Sequence, residues 1–210
     1  MDQKMVPPSE PRRSRERSRI ERAAVSFLTA NEATQLLKAT SGGPRAAALL
    51  MLGLGLRVSE AIRVRWRHLY QEGERVGLQI RNGSGGRIRT LGVPDKLFRE
   101  LQALRRAEGL PDSIDAKDNR LIVNHNGQAY TRQRIHQVIR SAARQAGIQK
   151  HVGLHVLRHS FSTLAVRRGV SVTDLQATLG HQRIETTQFY IDLVKGLDNP
   201  TTDAVVSEIL

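Results

Sequence analysis

Residues Ala46 to Leu56, AAALLMLGLGL, form the longest stretch of the chain without a polar side chain. A segment apolar on every side cannot lie on a surface, so the pattern predicts a buried helix over Ala46–Leu52 around which the rest must be built. The run is far shorter than the roughly 20 residues that cross a bilayer, so it reads as a core element and no membrane partner is expected. Pro44 suits the first turn of this helix, and Gly53 and Gly55 precede a bend that delivers Arg57 into Val58-Ser59-Glu60. An arginine placed there is held by a rigid element, with Glu60 within one turn to orient its guanidinium.

The remaining pattern is mostly helical. Thr29-Ala30-Asn31-Glu32 fits a capping box ahead of Ala33, Leu36 and Leu37 at helical spacing, in a short helix that ends by Ser41-Gly42-Gly43. Extended segments Val76–Ile80 and Ile88–Val93 flank Asn82-Gly83-Ser84-Gly85-Gly86, a hairpin signal. Pro94–Glu108 returns to helical spacing, and 109–119 is polar and loop-like. Leu121–Val123 reads as a short strand or connector. Helices are predicted over Thr131–Ala146, Leu154–Arg168, Thr173–Leu179 and Glu185–Val194, with Gly147, Gly169 and Gly180 as stops and Ser171 as a cap. The expected fold class is mainly α with a small antiparallel β-sheet (α+β), in one domain over 26–195.

Charge narrows the partners. Lys and Arg number 33 against 20 Asp and Glu, a formal charge of +13, and 27 of the basic residues are Arg. The guanidinium fork binds phosphate bidentately, so nucleic acid is the leading partner. Residues 1–25 hold Pro7, Pro8, Pro11 and a run that includes Arg12 and Arg13, and read as a disordered basic arm. Without that arm the remainder still carries +10, so the charge belongs to the folded part as well. Zero cysteines exclude disulfide scaffolds, thiol catalysis and Cys-based zinc sites. Together with an N-terminus lacking an apolar signal segment, this points to a cytoplasmic protein.

The last sixty residues concentrate His155, Arg158, His159, His181 and Tyr190 near predicted helix ends. His155 and His159, four apart, share a face that zinc can use. No Cys, Asp or Glu joins them at ligand spacing, and Arg158 would set a cation beside the metal, so no metal or other cofactor is expected. A second chemistry fits better. A phenol with a pKa near 10 is about a thousandth ionised at neutral pH; for it to attack a phosphodiester, cationic donors must hold the phosphate and stabilise the transition state. Two arginines and two histidines supply those donors without a metal.

Three stretches carry a resemblance to a known family: GLGLRVSEAIRVRW around Arg57, GLHVLRHSFSTLAVRRGVSVTDLQATLGH from Gly153 to His181, and TTQFY ending at Tyr190. The chain resembles the catalytic domain of the tyrosine recombinases, the phage-integrase family, from roughly Phe27 to Leu193. Spacings of 23 from Arg158 to His181 and 9 from His181 to Tyr190 agree with the family pattern. The resemblance implies the tyrosine recombinase catalytic-domain fold and a site-specific DNA strand transferase of the type IB class, working without metal or ATP. It implies that Tyr190 is the nucleophile of a 3′-phosphotyrosyl intermediate, and that Arg57 and Arg158 clamp the scissile phosphate. His155 then corresponds to a phosphate donor or proton-transfer group, His181 to the second phosphate-contacting histidine, and Glu60 to the acidic support of the first arginine. Double-stranded DNA is the implied partner, bound by a homotetramer whose protomers are monomers free in solution.

Two departures stand out. The family's hairpin carries a lysine that protonates the leaving 5′-oxygen; here the corresponding position is Ser84 and the hairpin holds no lysine. Arg81, Arg87 and Arg89 are the hairpin cations expected at DNA, but an arginine with pKa above 12 is a poor proton donor. A slow or non-catalytic DNA-binding relative is therefore the alternative reading. The second departure is the length of the N-terminal region: 25 residues are too few for the separate helical domain of many relatives, so Arg12 and Arg13 are the expected source of extra phosphate contacts. Residues 196–210 are expected to form a tail or short helix, exchanged between protomers in the assembly.

Overall fold

A computed structural model describes residues 26–81, 86, 88–110 and 120–197. The arm with Arg12 and Arg13, the hairpin positions Ser84 and Arg87, and the segment after residue 197 lie outside the described residues. The elements in order are α1 (Ala30–Lys38), α2 (Gly42–Leu54), α3 (Val58–Ala61), a 3₁₀ turn (Trp66–His68), β1 (Leu69–Glu72), β2 (Arg75–Arg81), β3 (Ile88–Val93), α4 (Asp95–Ala107), α5 (Arg132–Gln145), α6 (Leu154–Arg167), α7 (Val172–Leu179) and α8 (Glu185–Leu197). The molecule is mainly helical with one small antiparallel sheet. No described helix is long and apolar enough to cross a membrane.

Helix α2 is the central element the apolar run implied. It packs against α1, α4, α5 and α6, and Ala46, Ala47, Ala48, Leu50, Met51 and Leu54 are buried along it. It begins at Gly42, two residues before Pro44, which still falls in the first turn where no backbone N–H is required. The capping box at Thr29 is formed: Glu32 N–H donates to Thr29 Oγ1 and Thr29 N–H to Glu32 Oε2. Helix α6 lies against α2, and two of its buried polar side chains are small serines whose hydroxyls are bonded. Ser160 Oγ donates to Val156 O and accepts from Leu28 N–H, and Ser162 Oγ donates to Arg158 O.

The sheet has three strands in the order β1-β2-β3, one more than the sequence pattern predicts. Strand β1 is missed because Leu69-Tyr70-Gln71-Glu72 is too short to show an alternation. It is held by Tyr70, whose ring covers its cross-strand partner Gly77; a Cβ on Gly77 would sit 2.5 Å from that ring. Strands β2 and β3 pair Val76 with Val93 and Leu78 with Leu91, both pairs facing the core.

A second, smaller core lies beside the first. Leu175, Leu179 and Tyr190 are its buried members, with Phe161, Ala165, Val166 and Phe189 packed against them. The two cores meet at Gly55, the left-handed C-terminal cap of α2 at φ +64°. A Cβ there would lie 2.5 Å from the Phe161 ring and 2.9 Å from Leu179 Cδ2. Gly55→Ala combines left-handed strain of roughly 1–2 kcal/mol with that collision, and at roughly 2–4 °C per kcal/mol for a chain of this size it is expected to lower the thermal midpoint by at least about 4 °C. A calorimetric scan of the two proteins checks it.

Candidate active site

The site is built around one buried carboxylate. Arg57 caps the N-terminus of α3 from an extended backbone, and its N–H donates to Glu60 Oε2 at 2.8 Å while its Nη1 donates to Glu60 Oε1 at 3.2 Å. Arg89 on β3 grips the same carboxylate with both terminal nitrogens, at 3.0 and 2.9 Å, and its Nε donates to Thr178 O. Burial pushes the Glu60 carboxyl up, but hydrogen bonds from Arg89 and the Arg57 backbone, with both guanidinium charges, outweigh it and hold the pKa below the ordinary 4.5.

Arg158 is buried on α6 and is held by the ends of two helices. Its Nη1 donates to Gly55 O at 2.7 Å and its Nη2 to Leu179 O at 2.8 Å. Gly55 and Gly180 both cap their helices in the left-handed region, φ +64° at each, which leaves carbonyls at the negative ends of two helix dipoles for the guanidinium. Glu60 Oε2 lies 3.8 Å from Arg158 Nη1. Burial, then the charge of Arg57, lowers the Arg158 pKa to about 10, so it stays a cation at neutral pH.

His181 follows Gly180 and sits against Arg158, whose Nη2 is 3.0 Å from His181 Nε2. Arginine offers no acceptor, so Nε2 carries the lone pair, and Nδ1–H donates to Thr187 Oγ1 at 2.9 Å. Burial, then the charges of Arg158, Arg57 and Arg89, pulls the imidazole down to about 3, so the ring is neutral in this arrangement.

Tyr190, on α8, is 5% exposed, and its hydroxyl is hydrogen-bonded to His159 Nδ1. Burial raises its pKa, opposed by the positive charge of Arg158, a hydrogen bond from Ser162 and the charge of Arg57. Both clamp-type arginines are thus close enough to act on the phenol. His159 is drawn down to about 4 by burial, then by His155 and Arg158.

Of the residues singled out in the sequence, Arg57, Glu60, Arg158 and His181 form one bonded cluster, with Tyr190 beside it. Arg57 and His181 line a cleft of about 940 Å³ together with Arg63, His68, Arg81 and Arg183. Arg81 is exposed there, as a cation facing a polyanion would be. Arg89 has other neighbours than those expected of a hairpin cation at DNA: its guanidinium is occupied by Glu60 and Thr178 O. His155 is exposed on the first turn of α6, its ring 6.5 Å from that of His159, and lines a neighbouring cavity of about 690 Å³ with Arg132, His136 and His151. Arg87, Arg12 and Arg13 lie outside the described residues.

Three participants escaped the sequence reading: Arg89 as the partner of Glu60, Thr187 as the acceptor behind His181, and His159 as the neighbour of the phenol. A signal existed for Arg89, since Arg89, Leu91 and Val93 alternate onto one strand face and so onto the core side. For His159 the signal is its spacing of four from His155, which places both rings on one helical face.

The sequence profile of the phage integrase family matches residues 26–196, and the chain belongs to that family. Similar relatives include the tyrosine recombinase XerA of Pyrococcus furiosus, 33% identical over 147 residues that cover 70% of this chain and 49% of the relative. An integrase/recombinase of Escherichia coli is 29% identical over 215 residues, covering 85% of this chain and 63% of that protein. The chain therefore spans about half to three-fifths of the length of the curated relatives it matches. Among solved structures, a XerA recombinase superposes with a TM-score of 0.66 at 26% identity, over 79% of this chain and 60% of that one. The catalytic domain of bacteriophage HP1 integrase shares the fold at a TM-score of 0.58 and 22% identity, over 84% of this chain and 96% of that one.

The site also sets the acid side of stability. His159 and His181 have folded pKa values below 6.5, so the unfolded chain binds protons that the folded chain refuses as pH falls below about 6.5. Their contribution is complete above that pH and is lost between it and about 4 and 3; Glu60 adds a loss that begins below its ordinary 4.5. Urea midpoints measured from pH 7.5 to 3.5 are expected to fall throughout that range below 6.5. Glu60→Gln, which strands buried guanidinium groups, is expected to cost about 3 kcal/mol at pH 7 and to flatten the part of the decline below 4.5.

Proposed function

We propose that this chain is the catalytic domain of a site-specific DNA recombinase that cleaves and rejoins double-stranded DNA through a 3′-phosphotyrosyl intermediate. The observation that carries the reading is the grouping of Arg57, Arg158 and His181 around Glu60 with the Tyr190 phenol within electrostatic reach of both arginines. Three arginines share one carboxylate, so the cluster keeps a surplus of positive charge that a phosphodiester would complete. The Arg57 side chain is 43% exposed and offers donors to a non-bridging oxygen; Arg158 and His181 would reorient part of their present bonding toward it. Tyr190 Oη bonds to phosphorus, the bond from phosphorus to the 5′-oxygen breaks, and the phenolic proton is balanced by one gained at the 5′-hydroxyl. The reversal uses the same groups, and one phosphodiester is exchanged for one phosphotyrosine, so no nucleotide hydrolysis is needed.

The remaining expectations belong to the same proposal. DNA lies along the cleft lined by Arg63, Arg81 and Arg183, with His155 at its other flank as a further phosphate donor. Arg87, Arg12 and Arg13 add phosphate contacts, four protomers assemble on two DNA sites, and the 196–210 segment links them. The setting is the cytoplasm. The solved relatives include XerH bound to its difH substrate before and after cleavage and a lambda integrase dimer on a core site. A slow or non-catalytic binding protein is the second reading, motivated by Ser84 in place of the hairpin lysine.

A nicked suicide duplex tests the first reading. The unmodified protein is expected to form a covalent adduct that survives denaturing electrophoresis and disappears in Tyr190→Phe; binding without any adduct would establish the second reading instead. Because no hairpin lysine serves the leaving group, DNA with a 5′-bridging sulfur at the scissile position, whose thiolate departs unprotonated, is expected to be cleaved about 10²–10⁴-fold faster than ordinary DNA. Equal single-turnover rates would show that another donor already serves O5′.

A further inference from the structure

Tyr190 as the nucleophile needs an acceptor for its proton; the arginines cannot take it, and His155, the expected proton-transfer group, is exposed with its ring 6.5 Å from that of His159. Every guanidinium in the cluster is protonated and offers only donors. His181 is turned away from the task, its Nε2 lone pair held by Arg158 and its Nδ1–H given to Thr187. Ser162 already donates its hydroxyl proton to Arg158 O. Two side chains touch the phenol oxygen, Ser162 and His159 through Nδ1, and of these the imidazole is the base at neutral pH.

We propose that His159 is a catalytic residue that aligns the Tyr190 hydroxyl and accepts its proton as the phenol attacks phosphorus. The inference rests on the reading of Tyr190 as nucleophile and extends it to a residue that no sequence expectation assigned. The ring sits one turn from His155 and beside Arg158 on α6, with its centroid 5.6 Å from that of Tyr190 on α8. Buried neutral imidazole and buried neutral phenol pair in one sensible direction: the phenol, the stronger acid, donates to the Nδ1 lone pair, which leaves the imidazole proton on Nε2. This points the Tyr190 O–H at His159 Nδ1 and leaves an oxygen lone pair to approach phosphorus, an alignment supported by Phe189 at 5.8 Å and nearly perpendicular to the Tyr190 ring.

Tyr190 Oη supplies the electron pair of the new bond to phosphorus as its proton passes to His159 Nδ1, and the old bond breaks toward O5′. The departing oxygen takes a proton from water, and the hydroxide so formed recovers the proton from the imidazolium. Religation is the reverse: water gives a proton to His159 Nδ1, the hydroxide so formed takes the proton of the attacking 5′-hydroxyl, and the imidazolium passes its Nδ1 proton to the departing Tyr190 oxygen. The groups that face His159 are His155 and Arg158 from its own helix, Tyr190 from α8, and His181 through space. Its ordinary state is neutral, as a proton acceptor must be. A phosphodiester beside Arg158 offsets one of the charges that oppose protonation of the ring, so base strength rises when substrate is bound.

The test uses the full chain and the nicked suicide duplex with a 5′-bridging sulfur, whose leaving group needs no proton, so the pH dependence reports the nucleophile alone. Single-turnover adduct formation is followed from pH 5 to 10 for the unmodified protein, His159→Leu and His159→Asn. Asn places an acceptor oxygen where Nδ1 stands but cannot carry the proton away, and it keeps the test intact should the Leu variant lose its fold. The expected result is a nearly flat profile above pH 6 for the unmodified protein. Both variants are expected to be about 10²–10⁴-fold slower at pH 7, with rates that climb about tenfold per pH unit as external hydroxide replaces the imidazole, and with duplex affinity unchanged. Variants within threefold of the unmodified protein, or a His159→Asn profile as flat as the original, would overturn the proposal while leaving Tyr190 as nucleophile. No adduct from the unmodified protein would instead remove the reading of Tyr190 on which the proposal stands.

Discussion

The guanidinium of Arg158 is the interaction on which the rest of the site depends. A buried arginine is tolerated only where its donors find acceptors of fixed position, and here two of them are carbonyls at the C-terminal ends of α2 and α7. Those carbonyls are available because each helix stops on a glycine in the left-handed region, at Gly55 and Gly180. The same two glycines determine what comes next in the chain: Arg57 two residues after Gly55 and His181 directly after Gly180. One side chain therefore ties together the two turns that carry its own partners. The close approach of Phe161 and Leu179 to Gly55 shows how little room the arrangement leaves.

Glu60 plays the complementary part. Removing a carboxylate from water is unfavourable unless it is fully paired, and Glu60 meets that condition by receiving both nitrogens of Arg89, the backbone and side chain of Arg57, and the field of Arg158. Three cations over one anion leave the group positive, which adds to burial in lowering the pKa of His181 and, through Arg158, of His159, and suits the cluster to an anion. Catalytic preorganisation of this kind places donors before charge develops. The structural ion pairs and the proposed substrate site are the same atoms, so the positive field that weakens the protein in acid is also what would hold an anion there.

How far the amino-acid pattern reveals this depends on how local each determinant is. Helix α2 was legible because a run apolar on every side has only one environment in which it is stable, and the Thr29 capping box because it closes within four residues. The cluster of Arg57, Arg158, His181 and Tyr190 became legible through the family resemblance, since its members are scattered along the chain and meet only in the fold. Strand β1 was not legible: four residues show no period, and its stability comes from Tyr70 lying over Gly77 on the next strand. Arg89 was assigned to DNA on the strength of its charge, although its alternation with Leu91 and Val93 already pointed inward. The contact between His159 and Tyr190 depends on the rotation of α6 relative to α8, which no local pattern encodes.

That rotation is set by the smaller core. Helices α7 and α8 meet α6 through Leu175, Leu179 and the Tyr190 ring, backed by Phe161, Ala165, Val166 and Phe189, whereas Arg57, Glu60 and Arg89 are anchored to elements of the larger one. Local opening costs least where few apolar contacts are broken, so the helix carrying the phenol is the part of the site that can shift while the arginines stay in place. The bonds that would resist such a shift are few and specific: His159 to the Tyr190 hydroxyl, Thr187 to His181, and Arg158 to the carbonyl of Leu179. The first joins α6 to α8, the second joins α8 to the turn after α7, and the third joins α6 to α7, and each includes a residue with a part in the proposed reaction. The Tyr190 hydroxyl is thus held in register by the groups proposed to act on it as well as by the packing of its ring, which keeps its alignment dependent on the state of the site.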